Sequence, residues 1–593
     1  MRIPDVHRLA RLRCSYTMLA IALVGLLYFV RYAHIHGEVV YGDGFYSWIF
    51  ARSLAFDGDL HLANDYELCG DPKNKGVDEG GGRPANPFYL GPALLWTPVL
   101  WIVQKCVSLP PSASAQVVQG CTGKLVDDTL WLSPLVGLLT LLIAARIARR
   151  WMSDRTTAVG VLVVGLGSPL LYYATVNPSY SHAYAALGVA LALWAWIRVL
   201  DAHGSWVRWL VVGVMVSFAA MMRPQGLFLL LLPAITLGQA AVRRLKERRV
   251  PWLEIGLGAL TLIGFLSIFW VRLYSYKLLY GKYWVIPTGH SYLQMGHSHP
   301  FLLLFAPRGG LLYWSPLMWL GLLGLFAMAI KKELRGIGLP LLITLSVDLY
   351  VSASSLDWHG NAGFGARRLS TLAGPFLITT AYFLSWLWAW FRTRLPSLAL
   401  AAALCLILPL CLVHLGDSSG VRSRKIPGDA GVPAPTLFGD GLRLGLEMLY
   451  KRIGNPFIMP ATLVYSLRYG VPAVTWDRVA ARGLFLHSTR PLTLRGSDRI
   501  LFTKPDSCVV FVGAQPTAQG LMLTPGQESR MLFPLAWPYV SDIDLEAEAQ
   551  GSEVVTLRFR TGSFWRRRTI GFLPFVGALS NVRIRVPINA FDS

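Results

Sequence analysis

Leu227-Phe228-Leu229-Leu230-Leu231-Leu232-Pro233-Ala234-Ile235-Thr236-Leu237 is followed, a few residues on, by Arg243-Arg244-Leu245-Lys246-Glu247-Arg248-Arg249. An apolar run closed by a block of bases reads as a membrane-crossing helix that ends on its basic side. About 20 mostly apolar residues cross ~30 Å of hydrocarbon, and short loops rich in Lys and Arg stay in the cytoplasm. The same pattern recurs along the 593 residues. Composition agrees: 54% of residues are hydrophobic, 15% are charged, and the mean hydropathy is +0.46. Soluble domains carry roughly a quarter charged residues. The formal charge of +22 comes from 55 Lys+Arg and 33 Asp+Glu. The bases cluster at helix ends and form no nucleic-acid-binding motif, so membrane lipids are the expected partner and nucleic acid is not.

Following the basic clusters predicts an α-helical polytopic protein with about eleven spans. Arg2, Arg8, Arg11 and Arg13 precede an apolar run from about Met18 to Tyr32 with no small-residue cleavage site after it. This reads as an uncleaved anchor with a cytoplasmic N-terminus. The second span, about 129–148, ends at Arg146, Arg149 and Arg150. The third and fourth, about 156–176 and 182–200, flank the turn Asn177-Pro178-Ser179-Tyr180, and the fifth ends at Arg223-Pro224. The sixth is the run quoted above. The seventh covers about 252–274, the eighth ends at Lys331-Lys332, and the ninth covers about 337–353. The tenth ends at Arg392 and Arg394, and the eleventh covers about 396–415. The apolar segment Phe88–Val103, with Pro92 and Pro98, must stay out of this count, or every later basic cluster would flip sides. It reads as an interfacial helix, as does 45–56.

This topology divides the chain into a transmembrane domain, 1–415, containing a first outer loop, 34–128; a helical connector, 416–490; and a mainly-β domain, 491–593. The last shows alternating runs such as Val582-Arg583-Ile584-Arg585-Val586 and reads as a small extracytoplasmic β-sandwich. Of seven cysteines, Cys69, Cys106 and Cys121 share the first loop, where one disulfide is expected with its pairing open. Cys14, Cys405 and Cys411 read as apolar packing residues.

The first loop carries the densest chemistry: Tyr41-Gly42-Asp43-Gly44-Phe45-Tyr46-Ser47-Trp48, then Ala51-Arg52, then Asp57-Gly58-Asp59. Asp43 suits either a helix N-cap or a general base. Asp57, Asp59 and Asp65 read as a solvated turn, and Asp127-Asp128 as acids favoured at a helix N-terminus. Arg308, Arg367 and Arg368 sit in Gly-rich outer loops, and a guanidinium fork suits phosphate oxygens. Arg223 is a further candidate. Arg272 and Asp348 lie within apolar stretches, where ionisable groups pair or function; an ion pair is the simplest reading. His290, His297 and His299 match no standard metal spacing.

The loop motif resembles the GT-C superfamily, and more narrowly the branch of protein O-mannosyltransferases and lipid A aminoarabinose transferases (glycosyltransferase family 39-like). That branch usually has Asp-Glu, then Tyr, then Ala-Arg, then Gly-Asp; here Gly44 stands at the Glu position. Asn86-Pro87-Phe88-Tyr89 through Trp96 looks like the family's proline-containing interfacial helix. Ala306-Pro307-Arg308-Gly309-Gly310 and Gly363-Phe364-Gly365-Ala366-Arg367-Arg368-Leu369 resemble motifs of bacterial members. The resemblance covers residues 15–415 as architecture and is specific in the first loop.

It implies a hexosyl- or pentosyl-type transferase at the outer face of the cytoplasmic membrane. A polyprenyl-phosphate-linked sugar would pass to a glycan, lipid or protein hydroxyl by inverting displacement. Asp43 would be the base, and Arg308, Arg367, Arg368, Trp358, His359, Tyr46 and Arg52 would bind substrate. It fixes no cofactor, and it leaves room for a divalent cation held by loop carboxylates, as some branches use one. A transporter or flippase would show internal repeats and broken midplane helices, and none is visible in the sequence. An envelope polysaccharide polymerase or ligase would share the lipid-linked substrate.

Overall fold

The computed structural model describes residues 15–34, 39–287, 289–361, 363–392, 396–469, 471–477, 479–496, 509–511, 513–534, 542–549, 555–563, 567–575 and 581–587. The N-terminal arginines, Cys14, Glu38, Arg394 and Cys508 lie outside them. The chain forms two compact units, Met1–Gly445 and Leu446–Ser593.

The first unit is a helical bundle. Among the described residues, eight helices are long and apolar enough to cross a membrane, from Tyr16–Ala33 to Cys405–Arg422. The three other expected spans differ. Trp206–Met222 and Met318–Ile330 are apolar but shorter. The third expected span is broken: Asp154–Gly167 ends at Ser168-Pro169, and Leu170–Thr175 follows. Proline has no N–H to continue a helix ladder. The Ser168 carbonyl released by the break accepts a hydrogen bond from His414 Nε2 at 2.9 Å. Lipid-exposed faces are apolar, as on Trp252–Tyr280, where Ile255, Leu262, Leu266 and Trp270 are exposed.

Charge separates the two ends of the bundle. At one end Arg149 pairs with Asp154 at 3.0 Å, Arg150 with Asp201 at 2.5 Å and Arg244 with Glu254 at 2.7 Å. The first helix starts there, with Ser15 Oγ donating to Asp154 at 2.6 Å. Its 18 residues rise ~27 Å before the chain enters the first loop at the other end.

That loop is built. Helix Asp43–Arg52 packs Trp48 against Trp96 of helix Gly91–Cys106, with ring centroids 5.8 Å apart. Trp96 in turn donates to Tyr184 at 2.7 Å. The Gly91–Cys106 helix has 16 residues with Pro98 inside, fewer than a full span needs. Cys69 and Cys121 form a disulfide, and Cys106 is a free, exposed thiol.

The last bundle helix runs to Arg422, and the chain then folds back on the same unit. Ile426, Val432 and Leu437 are buried in a cluster with Tyr172, Tyr173, Tyr180, Trp314 and Phe364. Residues 423–440 are therefore part of the bundle end, where the sequence reading has a connector.

Among the described residues the second unit carries ten strands. β1 (Val479–Ser488), β3 (Val509–Phe511), β6 (Glu528–Pro534), β8 (Val555–Ser563) and β9 (Arg567–Phe575) form one sheet in the order β3-β6-β1-β8-β9. β2 (Leu492–Gly496), β4 (Ala514–Thr517), β5 (Gly520–Leu523), β7 (Asp542–Ala549) and β10 (Asn581–Pro587) form the other, ordered β10-β7-β2-β5-β4. The paired strands are antiparallel. Leu492 and Leu494, and Leu521 and Leu523, are buried with the period-2 spacing of a half-covered sheet. The strands begin at Val479, ahead of the expected position 491.

The docking of the Gly91–Cys106 helix is testable. A Cβ on Gly91 would lie 2.4 Å from the Met221 carbonyl oxygen, whereas one on Gly238 meets nothing within 4 Å. Gly91→Ala is expected to destabilise the protein by about 1–3 kcal/mol, the usual cost of overpacking. Gly238→Ala should leave it unchanged or slightly more stable. Thermal unfolding of the two purified variants in detergent compares them.

Candidate functional site

Asp43 is the first residue of its helix, preceded by Gly42 at φ 59°. This left-handed turn suits glycine, and a Cβ at Gly42 would sit 2.4 Å from the Tyr180 hydroxyl. The Asp43 side chain accepts from two cations: Lys73 Nζ donates to Oδ1 at 2.7 Å, and Arg367 Nη1 donates to Oδ2 at 3.0 Å. The helix carries no side-chain cap bond, so the capping role is not realised. Burial pushes the Asp43 carboxyl up, but Arg367 and Lys73 outweigh it and hold the group below the usual aspartate value. At Gly44, a Cβ would fall 2.1 Å from Ser179 Oγ. The turn at 177–180 fills the space that a glutamate side chain would need.

Asp43 and Arg367 face a polar cavity of about 630 Å³. Arg368 lines it too, hydrogen bonded and ion-paired to Asp357 and bonded to Tyr292. Tyr292 also donates to Asp357, and burial pushes its phenol up to about 12. Arg223 closes the inner wall and is 7% exposed. Its Nη1 lies 3.3 Å from Ser181 Oγ and 3.1 Å from His182 Nε2, its Nε has no partner, and its guanidinium lies 5.3 Å from the Tyr89 ring centroid. One polar chamber thus gathers Lys75, Arg223, Arg367 and Arg368 with the carboxylates of Asp43, Glu79 and Asp357, while Lys73 pairs with Asp43 from outside the lining.

A second, largely apolar cavity of about 510 Å³ adjoins it. The two share Pro87, Tyr89, Ile286, Pro287, Tyr292 and Arg368 in their walls. Phe228, Phe269, Trp284 and Val351 make the second one apolar.

Asp43, Arg367, Arg368 and Arg223 line one cavity. Arg52 does not line the cavity. It is 2% exposed and bonded to Asp57 at 2.5 Å, Asp65 at 2.6 Å and the Gln119 side chain at 2.9 Å, a buried brace for the loop. Asp65 is accordingly buried, not solvated. Tyr46 is buried behind Phe88, donating to Asp71 and accepting from the Lys73 amide at 2.8 Å. It shapes the turn that presents Lys73 and does not face the chamber. Trp358 and His359 lie outside its lining although Asp357 and Asn361, on either side of them, are within it. Arg308 also lies outside, with a buried Nε that lacks a partner. Arg272 and Asp348 are not an ion pair: Arg272 donates to the Ala220 carbonyl at 2.8 Å and to Tyr276, and Asp348 accepts from Ser352 at 3.1 Å.

Lys73 and Asp357 are missing from the sequence reading. Lys73 sits in Asp71-Pro72-Lys73-Asn74-Lys75-Gly76, a polar loop with nothing in its pattern to single out one lysine. Among the described residues no group of three or more His, Cys, Asp or Glu side chains is placed to hold a metal. Asp57 and Asp65 are engaged by Arg52, and Asp71 by Tyr46 and backbone amides. These three loop carboxylates are therefore already engaged.

Residues 119–270, about a quarter of the chain, match the family model described as dolichyl-phosphate-mannose-protein mannosyltransferase. No curated protein sequence matches. Among solved structures, the oligosaccharyltransferase AglB of Archaeoglobus fulgidus, in complex with an inhibitory peptide and a dolichol-phosphate, aligns at 12% identity and TM-score 0.42. That alignment covers 76% of this chain and 59% of AglB. ArnT from Cupriavidus metallidurans bound to undecaprenyl phosphate aligns at 15% identity and TM-score 0.39, over 77% of this chain and 80% of ArnT. The arabinosyltransferase EmbB from Mycobacterium smegmatis aligns at 11% identity and TM-score 0.36, over 99% of this chain and 63% of EmbB. The chain spans little more than half the length of the archaeal oligosaccharyltransferases, 54% for the zinc and sulfate complex. Likenesses at this level carry no argument about chemistry.

The Asp43 ion pairs have a defined pH signature. The folded carboxyl is depressed below 3.8, so its stabilising contribution is complete above that value and is lost as pH falls through the lower folded one. Asp43→Asn is expected to lower the unfolding free energy at about pH 7 by about 1.5–3 kcal/mol, as for hydrogen bonds to charged groups. The gap should narrow as pH falls below 3.8 and close only once the folded carboxyl is itself protonated. Thermal unfolding of both proteins across this range checks it; a gap independent of pH would contradict the pairing.

Proposed function

We propose that the chain is a GT-C type glycosyltransferase. It moves a sugar from a polyprenyl phosphate to an acceptor hydroxyl by a single inverting displacement. The observation that carries the reading is Asp43, held by Lys73 and Arg367 in a polar chamber whose wall is shared with an apolar groove. A lipid-linked sugar has this division: a charged phosphate and polar sugar at one end, and an isoprenoid chain at the other. The family match over 119–270 and the motif at 41–59 fall on different stretches and point to the same branch.

In this reading the polyprenyl chain occupies the groove beside Phe228, Phe269 and Trp284. The phosphate enters the chamber among Lys75, Arg223, Arg367 and Arg368, close to Lys73 on Asp43. The acceptor oxygen attacks the anomeric carbon as the bond to the phosphate oxygen breaks. The electron pair leaves with the phosphate, and the acceptor proton passes to Asp43. The cations stabilise the charge that grows on the leaving group. A carboxylate clamped by two cations is a poor base. The arriving phosphate competes for Lys73 and Arg367, and loosening either contact raises the proton affinity of Asp43. The basic end of the bundle would face the cytoplasm and the chamber would face outward, with a hexosyl- or pentosyl-type sugar delivered there.

Purified protein supplied with a radiolabelled undecaprenyl-phosphate sugar and a crude envelope acceptor fraction tests this. Asp43→Asn is expected to slow transfer by about 10²–10⁴-fold, the usual share of a general base, and still bind undecaprenyl phosphate. Lys73→Met is expected to weaken undecaprenyl phosphate binding by about tenfold, equivalent to ~1.4 kcal/mol. Asp43→Asn transferring at the wild-type rate would overturn the base assignment. Failure of the wild type to bind, transfer or hydrolyse any lipid-linked sugar would overturn the enzyme.

A further inference from the structure

Helix Gly441–Ile453 begins against the last bundle helix, Pro396–Arg422. The two backbones meet at glycines. A Cβ on Gly416 would lie 1.8 Å from the Gly441 carbonyl oxygen, and one on Gly445 would lie 2.2 Å from the Leu412 carbonyl oxygen. Leu412 comes about ten residues before Arg422, roughly 15 Å down the helix axis at ~1.5 Å per residue. Leu408 and Leu406, one to two turns further in, are exposed on the membrane-crossing stretch Cys405–Arg422. The start of the later helix is therefore packed at the border of a lipid-exposed surface.

Past Gly445 the same helix exposes Leu446, Leu449 and Tyr450, with Ile453 half-buried. Steps of three and four residues put these side chains on one helical face. Lys451 is exposed at the edge of that face. The turn that follows exposes Phe457, at 94%, together with Ile458 and Met459. Asn455 shapes this turn by accepting from the Phe457 amide at 3.0 Å. Helix Met459–Tyr469 then exposes Val464 and Leu467, the latter at 85%, and buries Thr462 and Tyr465. The Thr462 hydroxyl donates to the Ile453 carbonyl at 2.9 Å, and the Tyr465 ring packs edge-on against Trp476, with centroids 5.1 Å apart. Each helix thus has an anchored side and an exposed apolar side. An apolar surface running on through 446–467 is more than a water-facing surface ordinarily carries.

We propose that residues 446–467 are a lipid-docking surface that lies in the interfacial layer of the bilayer. The exposed leucines, Val464 and Phe457 enter the upper acyl region, and Lys451 stays among the lipid phosphates. Two observations select a bilayer as the occupant. The segment continues a helix whose first turns pack on a membrane-crossing helix beside its lipid-exposed leucines, so lipid is the surface within its immediate reach. Its side chains are those of an interfacial helix, large and apolar on one side with a base at the edge. The lysine stem covers apolar surface while its ammonium remains with the headgroups. Docking of this kind holds the root of the second unit at the membrane surface, whatever reaction the chamber performs.

The test uses full-length protein in nanodiscs of phosphatidylethanolamine and phosphatidylglycerol. A photoreactive benzoylphenylalanine in place of Val464 reports what lies against the segment. The same probe in place of Gln515, exposed on strand β4, is the control. After illumination, mass spectrometry is expected to find acyl-chain adducts at 464 in clear excess over 515. Phe457→Asp with Leu467→Asp should cut the adducts at 464 by about tenfold or more, the factor by which inserting one large apolar side chain favours docking. Should the double variant not fold, Phe457→Asp alone, at a position almost wholly exposed, should still reduce them. Adducts at 464 no more frequent than at 515, or adducts unchanged in the variants, would overturn the proposal. So would cross-links from 464 to the first unit or to a second copy of the chain in place of lipid.

Discussion

One carboxylate between two cations organises this end of the bundle. Asp43 and Arg367 are 324 positions apart in the chain, and Lys73 comes from a third segment. Each charge alone would be costly at the rim of an apolar bundle. Together they fix where the first loop meets the turn after the ninth expected span. Other elements serve that meeting. Gly42 gives the turn its hand, Tyr46 and Asp71 shape the loop that presents Lys73, and the Arg52 brace and the Cys69–Cys121 bridge hold the loop's remaining helices.

The loop after the last helix gives the site a second boundary. Residues 423–440 close over Tyr172, Tyr173 and Trp314 and make backbone contacts with Gly363 and Pro307. The bundle end is thus a walled structure with polar and apolar compartments, and its walls come from segments at both extremes of the unit.

The sequence made the helices legible wherever apolar runs met blocks of bases, because hydrocarbon leaves few alternatives to helix. It misled at 156–176, where hydropathy hides the break that Pro169 introduces and His414 accommodates. At the site, Asp43, Arg367 and Arg368 stood out because charged residues beside glycine are conspicuous in an apolar chain. Lys73 did not, since its loop is polar throughout and only the fold selects one lysine among neighbours. Arg52 looked functional as the arginine of the Ala51-Arg52 pair in the motif, and Arg367 through its Gly-rich turn. What separates them is tertiary: Arg52 meets two carboxylates and the Gln119 side chain in the interior, while Arg367 reaches Asp43 at a cavity wall. The Glu position of the family motif is empty for a reason that only packing shows, the approach of Ser179 to Gly44.

The gathering of Lys75, Arg223, Arg367 and Arg368 around one chamber has a kinetic consequence under the proposed reaction. A sugar-bearing phosphodiester carries one negative charge. The phosphomonoester left after transfer carries between one and a half and two near neutrality, by analogy with other phosphate monoesters. A chamber rich enough in cations to capture the first holds the second more firmly. Turnover is then governed by how fast spent carrier lipid escapes from the chamber rather than by the bond-breaking event, and accumulated carrier would throttle the enzyme from its own product side.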